Sequence, residues 1–548
     1  MATTRQLIVS ALLCVTSLTQ TQTANDAIDP SGCSGPLLIG GGGSLPDSVY
    51  DHFLELAGGK QASIVLVPTA SSRADTAEGR QQILARWQQD YPGISFSVLH
   101  TRDRTEADTS AFCAPLTIAT GVWFGGGSQQ RIADAYIGTR FERELYTLHQ
   151  RGGAIGGSSA GAAIQSRTMI ARGKSPPEIS TGFDLVPHAI VDQHFLKRKR
   201  LPRLITALEQ RPGLFGLGID EQTAAVIRGR ELYALGKSEV LLVLGARNGK
   251  PQRIQRLKEG DLHTDIVIWQ RAARQRATGP WPLTEMPAPV VKKGTVMLGG
   301  GGQLPRAVFE HFIACAGGKE ARILFAPTAS PRIVNERKNR TMAMFRQLGA
   351  KEVMLLAPRH PSEVTDEHIA MSNRATGVWF GGGRQWRTVD AFDNTPMVAA
   401  LHRVLARGGV IGGSSAGASI QGELLVRGNP MRVIQGTDGQ LYPGNTDMWC
   451  EGYDRGFAFL PGCAVDQHFL VRKRLSDLQG VIEQCPQIIG IGVDEGTCAV
   501  VSGSTLKVLG TSQVAVLDAR SSSARPIAPT LLKPGQSWDL LQARLIRD

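Results

Sequence analysis

The chain has 548 residues, more than one hydrophobic core usually organises, so two or more domains are expected. Its net charge of +12 would suit an anionic partner, but the basic residues are scattered, with local clusters only at 197–200 and 472–474. Because no aromatic residues are interleaved with them and no nucleic-acid module is recognisable, nucleic-acid binding is not expected.

Residues 1–24 have the pattern of a secretory signal peptide. One early positive charge, Arg5, precedes an apolar run over 7–18 and a small, polar stretch that ends before Asn25. The run is too short to span a membrane, so we expect a protein exported to the periplasm or the medium, with no membrane partner. The alternative is a hydrophobic N-terminal extension that is retained.

Of the eight cysteines, Cys14 lies in this leader and seven remain. Their spacing matches no zinc pattern and includes no Cys-x-x-Cys, so no metal site and no cofactor are predicted. The last four cysteines are crowded into the second half of the chain, where one or two disulfides could form in an oxidising compartment.

The first element after the leader occurs twice. An apolar run at 36–39 leads into four glycines at 40–43 and then a helical pattern, and the same order returns at 296–298 and 299–302. A strand, a glycine turn and a proline near a helix start predict the first βα unit of a parallel sheet. Since the Gly-x-Gly-x-x-Gly fingerprint is absent, we expect these glycines to let the loop pass beneath an active site, not to bind a dinucleotide.

Two further strands of each copy end in small or polar residues. Apolar runs at 64–68 and 323–327 are followed by Thr-Ala-Ser, and Gly-Val-Trp-Phe-Gly-Gly-Gly occurs at 121–127 and 377–383. A glutamine follows each glycine loop within two residues. Such strand ends lie at the carboxyl edge of a sheet, where open α/β folds bind ligands; the alternative for the glycine loops is a structural turn.

The most similar stretch is Arg-Gly-Gly-Ala-Ile-Gly-Gly-Ser-Ser-Ala-Gly-Ala-Ala-Ile-Gln at 151–165, which matches 407–421 at 13 of 15 positions. Each copy contains Gly-x-Ser-x-Gly, centred on Ser159 or Ser415. A short strand that turns sharply into a helix through such glycines indicates a nucleophile elbow, in which the serine is strained and exposed. The alternative is a tight turn whose serine caps the helix.

Asp-Gln-His-Phe follows in both copies, at 192–195 and 466–469, and supplies His194 and His468 as candidate bases. A lone histidine is more often structural, but here both copies retain it where the surrounding sequence has diverged.

An apolar strand then ends in Asp-Glu in both copies. A carboxylate at this strand end can orient an imidazole on a neighbouring segment, and we favour Glu221 and Glu495 for that role. The adjacent Asp220 and Asp494 are the alternatives.

The repeat defines a first half at 36–265 and a second half at 294–545, since a period this long indicates domain duplication. Residues 266–293 connect them, and the stretch from 270 to 293, rich in arginine and proline, predicts an exposed linker. The second half has about 18 extra residues near 428–455, which we interpret as a surface loop that could cover a site.

The order serine, histidine, glutamate differs from that of the α/β-hydrolases, in which the acid precedes the histidine. Gly-Gly-Ser-Ser-Ala-Gly-Ala, Asp-Gln-His-Phe with arginines after it, and Gly-Ile-Asp-Glu together resemble the cyanophycinases, serine peptidases of the peptidase E group. The resemblance covers nearly all of both halves. It implies an α/β fold of two tandem flavodoxin-like domains, similar to class I glutamine amidotransferases, each three-layered with a mostly parallel sheet.

The resemblance further implies hydrolysis of cyanophycin, a poly-aspartate backbone with arginine on each β-carboxylate, to β-Asp-Arg dipeptides. Ser159 and Ser415 would be the nucleophiles, His194 and His468 the bases, and Glu221 and Glu495 the orienting acids. The residues that would bind substrate are Gln129, Asp192, Gln193, Arg198, Arg200 and Arg203 in the first half and Gln385, Asp466, Gln467, Arg472 and Arg474 in the second.

Acyl transfer also needs donors for an oxyanion. We expect the backbone N–H of Ala160 or Ala416, with one from Gly127 or Gly383, to supply them. The second half has Asp477 where the first has Arg203, which puts carboxylate recognition there in doubt. We expect the halves to pack as a pseudo-dimer within one chain.

Three other functions fit the same residues. The protein could be an α-aspartyl dipeptidase or an isoaspartyl peptidase, since arginines that read carboxylates would serve either. One half could be a non-catalytic copy that binds polymer or braces its partner. A secreted binding protein without catalysis is the third alternative.

Overall fold

The computed structural model describes residues 27–332, 335–336, 339–520 and 524–547. The predicted leader at 1–24, with Cys14, lies outside these ranges. None of the helices described combines the length and the apolar character that crossing a membrane requires.

Strands and helices alternate through the first half. Its strands are β1 (Cys33–Gly40), β2 (Ser63–Val67), β3 (Ser95–Val98), β4 (Gly121–Phe124), β5 (Ala154–Ser158), β6 (Thr168–Arg172), β7 (Glu178–Thr181), β8 (Ala189–Asp192), β9 (Phe215–Ile219), β10 (Thr223–Gly229), β11 (Glu231–Gly236), β12 (Val240–Leu244), β13 (Arg253–Leu257) and β14 (Thr264–Asp265). Its helices are α1 (Asp47–Leu56), α2 (Ala77–Asp90), α3 (Arg104–Ala107), α4 (Ser110–Ile118), α5 (Gln129–Tyr136), α6 (Arg140–Gln150), α7 (Ala160–Ala163), α8 (Leu201–Gln210) and α9 (Ile266–Thr278).

The second half repeats this order. Its strands are β15 (Val291–Gly299), β16 (Arg322–Ala326), β17 (Glu352–Leu355), β18 (Gly377–Phe380), β19 (Val410–Ser414), β20 (Gly422–Leu424), β21 (Val433–Gln435), β22 (Leu441–Pro443), β23 (Leu460–Gln467), β24 (Ile489–Val493), β25 (Thr497–Gly503), β26 (Thr505–Gly510), β27 (Val514–Asp518), β28 (Thr530–Leu532), β29 (Ser537–Asp539) and β30 (Arg544–Ile546). Its helices are α10 (Arg306–Cys315), α11 (Arg340–Gln347), α12 (Asp366–Arg374), α13 (Gln385–Phe392), α14 (Pro396–Ala406), α15 (Ala416–Ser419) and α16 (Leu475–Gln484).

The main sheet of each half has a parallel centre and an antiparallel flank. In the first half the order is β14-β11-β10-β1-β5-β4-β2-β3, with parallel pairing from β1 through β3. In the second half β17-β16-β18-β19-β15 are parallel, and β25, β26, β29 and β30 extend the sheet antiparallel. The serines follow β5 and β19, which are central strands of these sheets. The carboxyl ends of these strands therefore lie at the edge of the sheet where open α/β folds bind ligands.

Alternate residues of the central strands are buried on opposite faces of the sheet. Leu37 and Ile39 of β1 pack in one apolar cluster, whereas Leu38 packs in another with Phe53 of α1 and Trp123 of β4. A parallel sheet covered on both faces has continuous apolar strands, as the Gly-Val-Trp-Phe repeats do. The predicted α/β class with a duplicated parallel core is therefore confirmed.

The exposed linker predicted at 270–293 is wrong for its first part. Residues 266–278 form helix α9, and most of that helix is buried between the halves. Arg271, only 2% exposed, donates to Asp393 of the second half at 2.5 Å and lies 3.3 Å from Asp390. The arginines that suggested solvent exposure instead pair with carboxylates of the other half, because a guanidinium can be buried when its charge is matched.

One apolar cluster contains residues of both halves, among them Trp269 of α9 and Phe457. The halves are thus packed on each other and not merely tethered. This arrangement fits the expected pseudo-dimer within one chain.

The one or two disulfides that the second half could form are absent from the described residues. Cys450, Cys463, Cys485 and Cys498 are each buried with a free thiol, as are Cys33 and Cys113. Burial raises the pKa of Cys33 to about 12 and that of Cys113 to about 11. These cysteines act as small core residues, which sequence crowding could not distinguish from disulfide partners.

Candidate active site

Ser159 is held in a strained turn at the end of β5. Its backbone has φ 57° and ψ −107°, a conformation that L-residues rarely adopt. A Cβ on Gly157 would lie 2.3 Å from the Gly161 carbonyl oxygen, and one on Gly161 would lie 2.1 Å from that of Phe124. The glycines of the motif are therefore required by backbone contact, as in a nucleophile elbow.

Ser415 has the same geometry, with φ 57° and ψ −119°. Neither serine side chain caps the short helix that follows it. The capping turn, which was the alternative interpretation of the motif, does not describe these serines.

Three distant segments bring a hydroxyl, an imidazole and a carboxylate together in each half. Ser159 Oγ lies 2.9 Å from His194 Nε2, and His194 Nδ1 lies 2.7 Å from Glu221 Oε1. In the second half, Ser415 Oγ lies 2.9 Å from His468 Nε2, and His468 Nδ1 lies 2.5 Å from Glu495 Oε1. With Nδ1–H donating to the carboxylate, Nε2 is free to accept the serine proton.

The neighbouring aspartates face away from the imidazoles. Asp220 accepts hydrogen bonds from the Lys197 N–H at 2.8 Å and from the Ser238 hydroxyl at 2.8 Å. Asp494 accepts from two backbone N–H groups after His468 and from the Ser512 hydroxyl. The aspartates thus hold the loop that carries each histidine, and the glutamates contact the ring.

The first glycine loop of each half passes directly beneath the imidazole, as predicted. A Cβ on Gly42 would lie 2.3 Å from His194 Cε1, and one on Gly301 would lie 2.3 Å from His468 Cε1. The His194 N–H also donates to the Gly41 carbonyl at 2.7 Å. These loops set the height of each histidine above its serine.

The pKa of His194 and that of His468 are both lowered from the usual 6.5. Burial is the main cause, and the positive charges of the arginines that follow each histidine add to it, although the glutamate acts in the opposite direction. At neutral pH both rings are therefore neutral, which is the form that can accept a proton.

The glycine loop approaches each serine at Gly126 or Gly382, one residue before the expected oxyanion donors Gly127 and Gly383. A Cβ on Gly126 would lie 3.6 Å from Ser159 Cβ, and one on Gly382 would lie 3.4 Å from Ser415 Cβ. Gly127 and Gly383 follow with φ of 141° and 147°, while Ala160 and Ala416 begin the helices after the serines. The glycine loop and the helix start thus meet at each hydroxyl.

Gln129 and Gln385 are nearly buried, and each anchors the segment after the elbow. Gln129 Nε2 donates to the carbonyls of Ile170 at 2.8 Å and Ala171 at 3.0 Å, and Gln385 Nε2 donates to that of Val426 at 2.9 Å. The amide nitrogens of the two glutamines predicted to bind substrate thus donate to the chain itself, Gln129 twice and Gln385 once.

Several of the other predicted substrate residues of the first half contact each other. Arg203 pairs with the buried Asp192 through two hydrogen bonds, one of them 2.8 Å, and donates to the Gly173 carbonyl at 3.0 Å. Arg200 also reaches Asp192, at 3.3 Å, and donates to the side-chain oxygen of Gln193. Arg203 therefore lies in a buried ion pair and not on an open surface, whereas Arg198 is exposed.

The second half makes the equivalent pair with an arginine that the sequence reading missed. Arg427 donates to Asp466 at 3.1 Å and to Asp477 at 2.6 Å, and Arg474 donates to Asp466 at 3.0 Å. Arg427 lies at the position of Ala171 by the 256-residue offset of the serines. Two changes between the halves occur together: Arg427 replaces Ala171, and Asp477 replaces Arg203. This paired change is the sequence signal that the arginine had moved to another position.

Arg427 and Arg474 line a cavity of 270 Å³ beside Ser415 and His468, together with Gln385, Gln467 and Arg472. The side-chain oxygen of Gln467 is buried there without a hydrogen-bond donor from the described part of the chain. Arg472 is exposed. The cavity thus offers guanidinium donors and one amide acceptor, while no group of three or more His, Cys, Asp or Glu side chains that could hold a metal ion occurs in the described ranges.

Comparison with known proteins gives matches in both halves. A sequence model of peptidase family S51 matches residues 37–235 and 296–509. The chain is 35% identical over 222 residues to a cyanophycinase of Trichormus variabilis, which covers 38% of this chain and 72% of that protein. It is 34% identical over 238 residues to a cyanophycinase of Synechococcus elongatus; the matched region covers 42% of this chain and 70% of that protein.

Among solved structures, a peptidase from an acI-B1 Actinobacterium is 22% identical, with a TM-score of 0.33. The matched region covers 45% of this chain and 97% of that protein.

Proposed function

The chain belongs to peptidase family S51 and is a serine-type peptidase; from this premise we propose that both halves hydrolyse cyanophycin, releasing β-Asp-Arg dipeptides. The observation that supports two active sites is the pair of hydrogen-bonded lines from serine through histidine to glutamate, with serine to histidine distances of 2.9 Å in both. The similarity to cyanophycinases supports the substrate.

The reaction begins with transfer of the Ser159 hydroxyl proton to His194 Nε2. The serine oxygen attacks the carbonyl carbon of a backbone amide, and the oxyanion accepts hydrogen bonds from the N–H groups of Ala160 and Gly127. His194 then protonates the leaving amine, and a water molecule, deprotonated by the same ring, releases the acyl group from the serine. Glu221 keeps Nδ1 protonated throughout.

Ser415, His468 and Glu495 perform the same steps in the second half, with Ala416 and Gly383 as oxyanion donors. Arg472 holds a substrate carboxylate in the cavity beside Ser415, while Arg474 stays paired with Asp466, and the Gln467 oxygen accepts a substrate N–H. In the first half Arg198 is the exposed guanidinium available for the same contact.

Serine-to-alanine variants test this proposal. We expect Ser159→Ala and Ser415→Ala each to retain part of the dipeptide release from cyanophycin, and the double variant to lose it. Ser95→Ala, an exposed serine on the edge strand β3, is the matched control and should behave as wild type. Full activity in the double variant would refute the mechanism, and an inactive single variant would identify the other half as a non-catalytic copy.

The nearest second candidate is an α-aspartyl or isoaspartyl dipeptidase, since arginines beside the serine would bind the carboxylate of either substrate. Cleavage of Asp-X or isoaspartyl dipeptides by the wild-type protein, without release from cyanophycin, would favour it. A binding protein without catalysis is excluded if a serine-directed reagent labels Ser159 or Ser415.

We also propose that the protein acts outside the cytoplasm, on polymer released from other cells, because of the signal-like pattern at 1–24. N-terminal sequencing of protein recovered from the periplasm or the medium should begin after that segment. Recovery of the full-length chain in the cytoplasm alone would contradict this.

A further inference from the structure

A second cavity, of 830 Å³, adjoins the cavity that contains Ser415. The two share Arg384 and Asn445 in their linings. We call the larger one the inter-half cavity, because both halves line it. The first half contributes residues 230–231 and 261–265, and the second contributes residues 386–387, 429–433 and Pro443. Its volume falls in the range of about 300–1,000 Å³ that small-ligand sites occupy.

One wall of the inter-half cavity carries three arginines that form no ion pair with a described carboxylate. Arg384, Arg387 and Arg432 line it, and none of them lies within ion-pair distance of a carboxylate in the part of the chain that is described. Arg387 rests on the Trp386 ring at 4.7 Å. Burial is the main cause that lowers the pKa of Arg387; the charges of Arg384 and Arg359 add to it, and Asp390 acts in the opposite direction.

The first half contributes exposed carboxylates to the same cavity. Glu231 lies 3.8 Å from His263 and Asp261 accepts a hydrogen bond from the Lys258 N–H, but neither pairs with an arginine or a lysine side chain among the described residues. By contrast, Asp265 in the same lining is paired with Arg230 at 2.8 Å. Two kinds of free charge, guanidinium and carboxylate, therefore line one space.

Two of the three arginines in this wall are specific to the second half, since Arg387 corresponds to Arg131 of the first half. At the corresponding positions the first half has Ser128 in place of Arg384 and Gln130 in place of Trp386, and it lacks the 18-residue insertion that carries Arg432.

The insertion is held in place by its own contacts. The Gly444 N–H donates to the Arg432 carbonyl at 3.1 Å, and Asn429 donates to Asp447 at 3.1 Å. The predicted covering loop is thus an ordered wall beside Ser415.

We propose that the inter-half cavity binds the polymer units next to the one being cleaved at Ser415. Each unit of an arginine-substituted poly-aspartate carries one free carboxylate and one guanidinium, so it presents both charges that the cavity complements. The carboxylates contact Arg384 and Arg432, and the guanidinium groups contact Glu231 and Asp261. The second half is then the polymer-selective site and the first half lacks this extension. This inference rests on the proposed function.

The test uses the full chain with Ser159→Ala, so that only the second site acts. Two substrates are compared: insoluble cyanophycin, and a two-unit fragment with a single scissile backbone bond. Arg384→Ser with Arg432→Ser should lower the ratio of kcat/KM for polymer to that for fragment about tenfold, as expected for loss of charge-assisted contacts. Glu231→Gln, in the other half, should lower this ratio about threefold. Arg346→Ser, an exposed arginine on α11 that lines neither cavity, is the control for loss of a positive charge elsewhere on the surface.

A ratio that stays within about twofold of the Ser159→Ala parent, or that falls equally with Arg346→Ser, would overturn the inference. It is equally overturned if the Ser159→Ala parent cleaves the fragment but no polymer. Failure of the proposed function itself looks different, because the wild-type protein would then release nothing from either substrate before any cavity residue is changed.

Discussion

The two halves hold the same three side chains at nearly the same distances, but they brace the histidine segment differently. In the first half Arg203 from α8 neutralises Asp192, whereas in the second Arg427, which precedes the insertion, neutralises Asp466. Asp477, at the position of Arg203, becomes a second partner of Arg427. A positive charge thus lies beside the buried aspartate in both halves, although the arginine that supplies it comes from a different position in the sequence.

The largest effect is expected from variants that disrupt the geometry common to the two sites. Gly42→Ala and Gly301→Ala each place a Cβ within 2.3 Å of the imidazole carbon Cε1, so the ring must move from its serine. We expect about a 10³-fold loss of kcat in the affected half, the scale of a lost general base. Each variant is assayed with the serine of the other half changed to alanine.

Gly480→Ala is the control, because a Cβ there meets no atom within 4 Å. It should leave activity unchanged and stabilise α16 slightly, since alanine favours helix more than glycine does. Wild-type activity in Gly42→Ala or Gly301→Ala would mean that the loops do not set the position of the histidines.

The next effect concerns stability. Arg203→Ala and Arg427→Ala each leave a buried aspartate with one remaining arginine, and we expect each to lower the free energy of unfolding by about 3 kcal/mol. Chemical denaturation measures this. Adding Asp477→Arg to Arg427→Ala recreates the arrangement of the first half and should recover most of the loss.

If this double variant is no more stable than Arg427→Ala alone, the two arginines are not equivalent in space. The assignment of Arg427 as the substitute for Arg203 would then be wrong.

The pH dependence should be the same in both halves. Since the pKa of His194 and that of His468 are lowered by the same burial, the neutral base persists below the usual value of 6.5, and protonation removes activity only at lower pH. Profiles of kcat/KM for Ser159→Ala and Ser415→Ala should each fall on the acid side of 6.5. Acid limbs above that value, or limbs separated by more than about one pH unit, would contradict it.

The smallest effect is expected at Asp477. Its side chain is 43% exposed, and Arg427 keeps its bond to Asp466 without it. Asp477→Asn should therefore change the free energy of unfolding by less than about 1 kcal/mol. A loss as large as that of Arg427→Ala would show that Asp477 is a structural partner of equal weight.

The local motifs were readable because each meets a strict local demand. Gly157, Gly161 and Gly42 are glycines since any side chain would collide with backbone or imidazole, and such demands leave a fixed pattern in the sequence. The buried strands were visible as apolar runs for the same reason. Helix α9 was misread because Arg271 and Arg276 are buried by carboxylates far away in the chain.

The sequence alone therefore determined the duplication, the parallel core of each half, and the order in which serine, histidine and glutamate occur. Only the tertiary structure decided which carboxylate contacts each histidine, which arginine neutralises Asp466, and how the halves together enclose a cavity. The physical reason is that these interactions act over different separations along the chain. Backbone sterics and apolar periodicity act between near neighbours, whereas charge pairing depends on distances in space that the chain reaches only when folded.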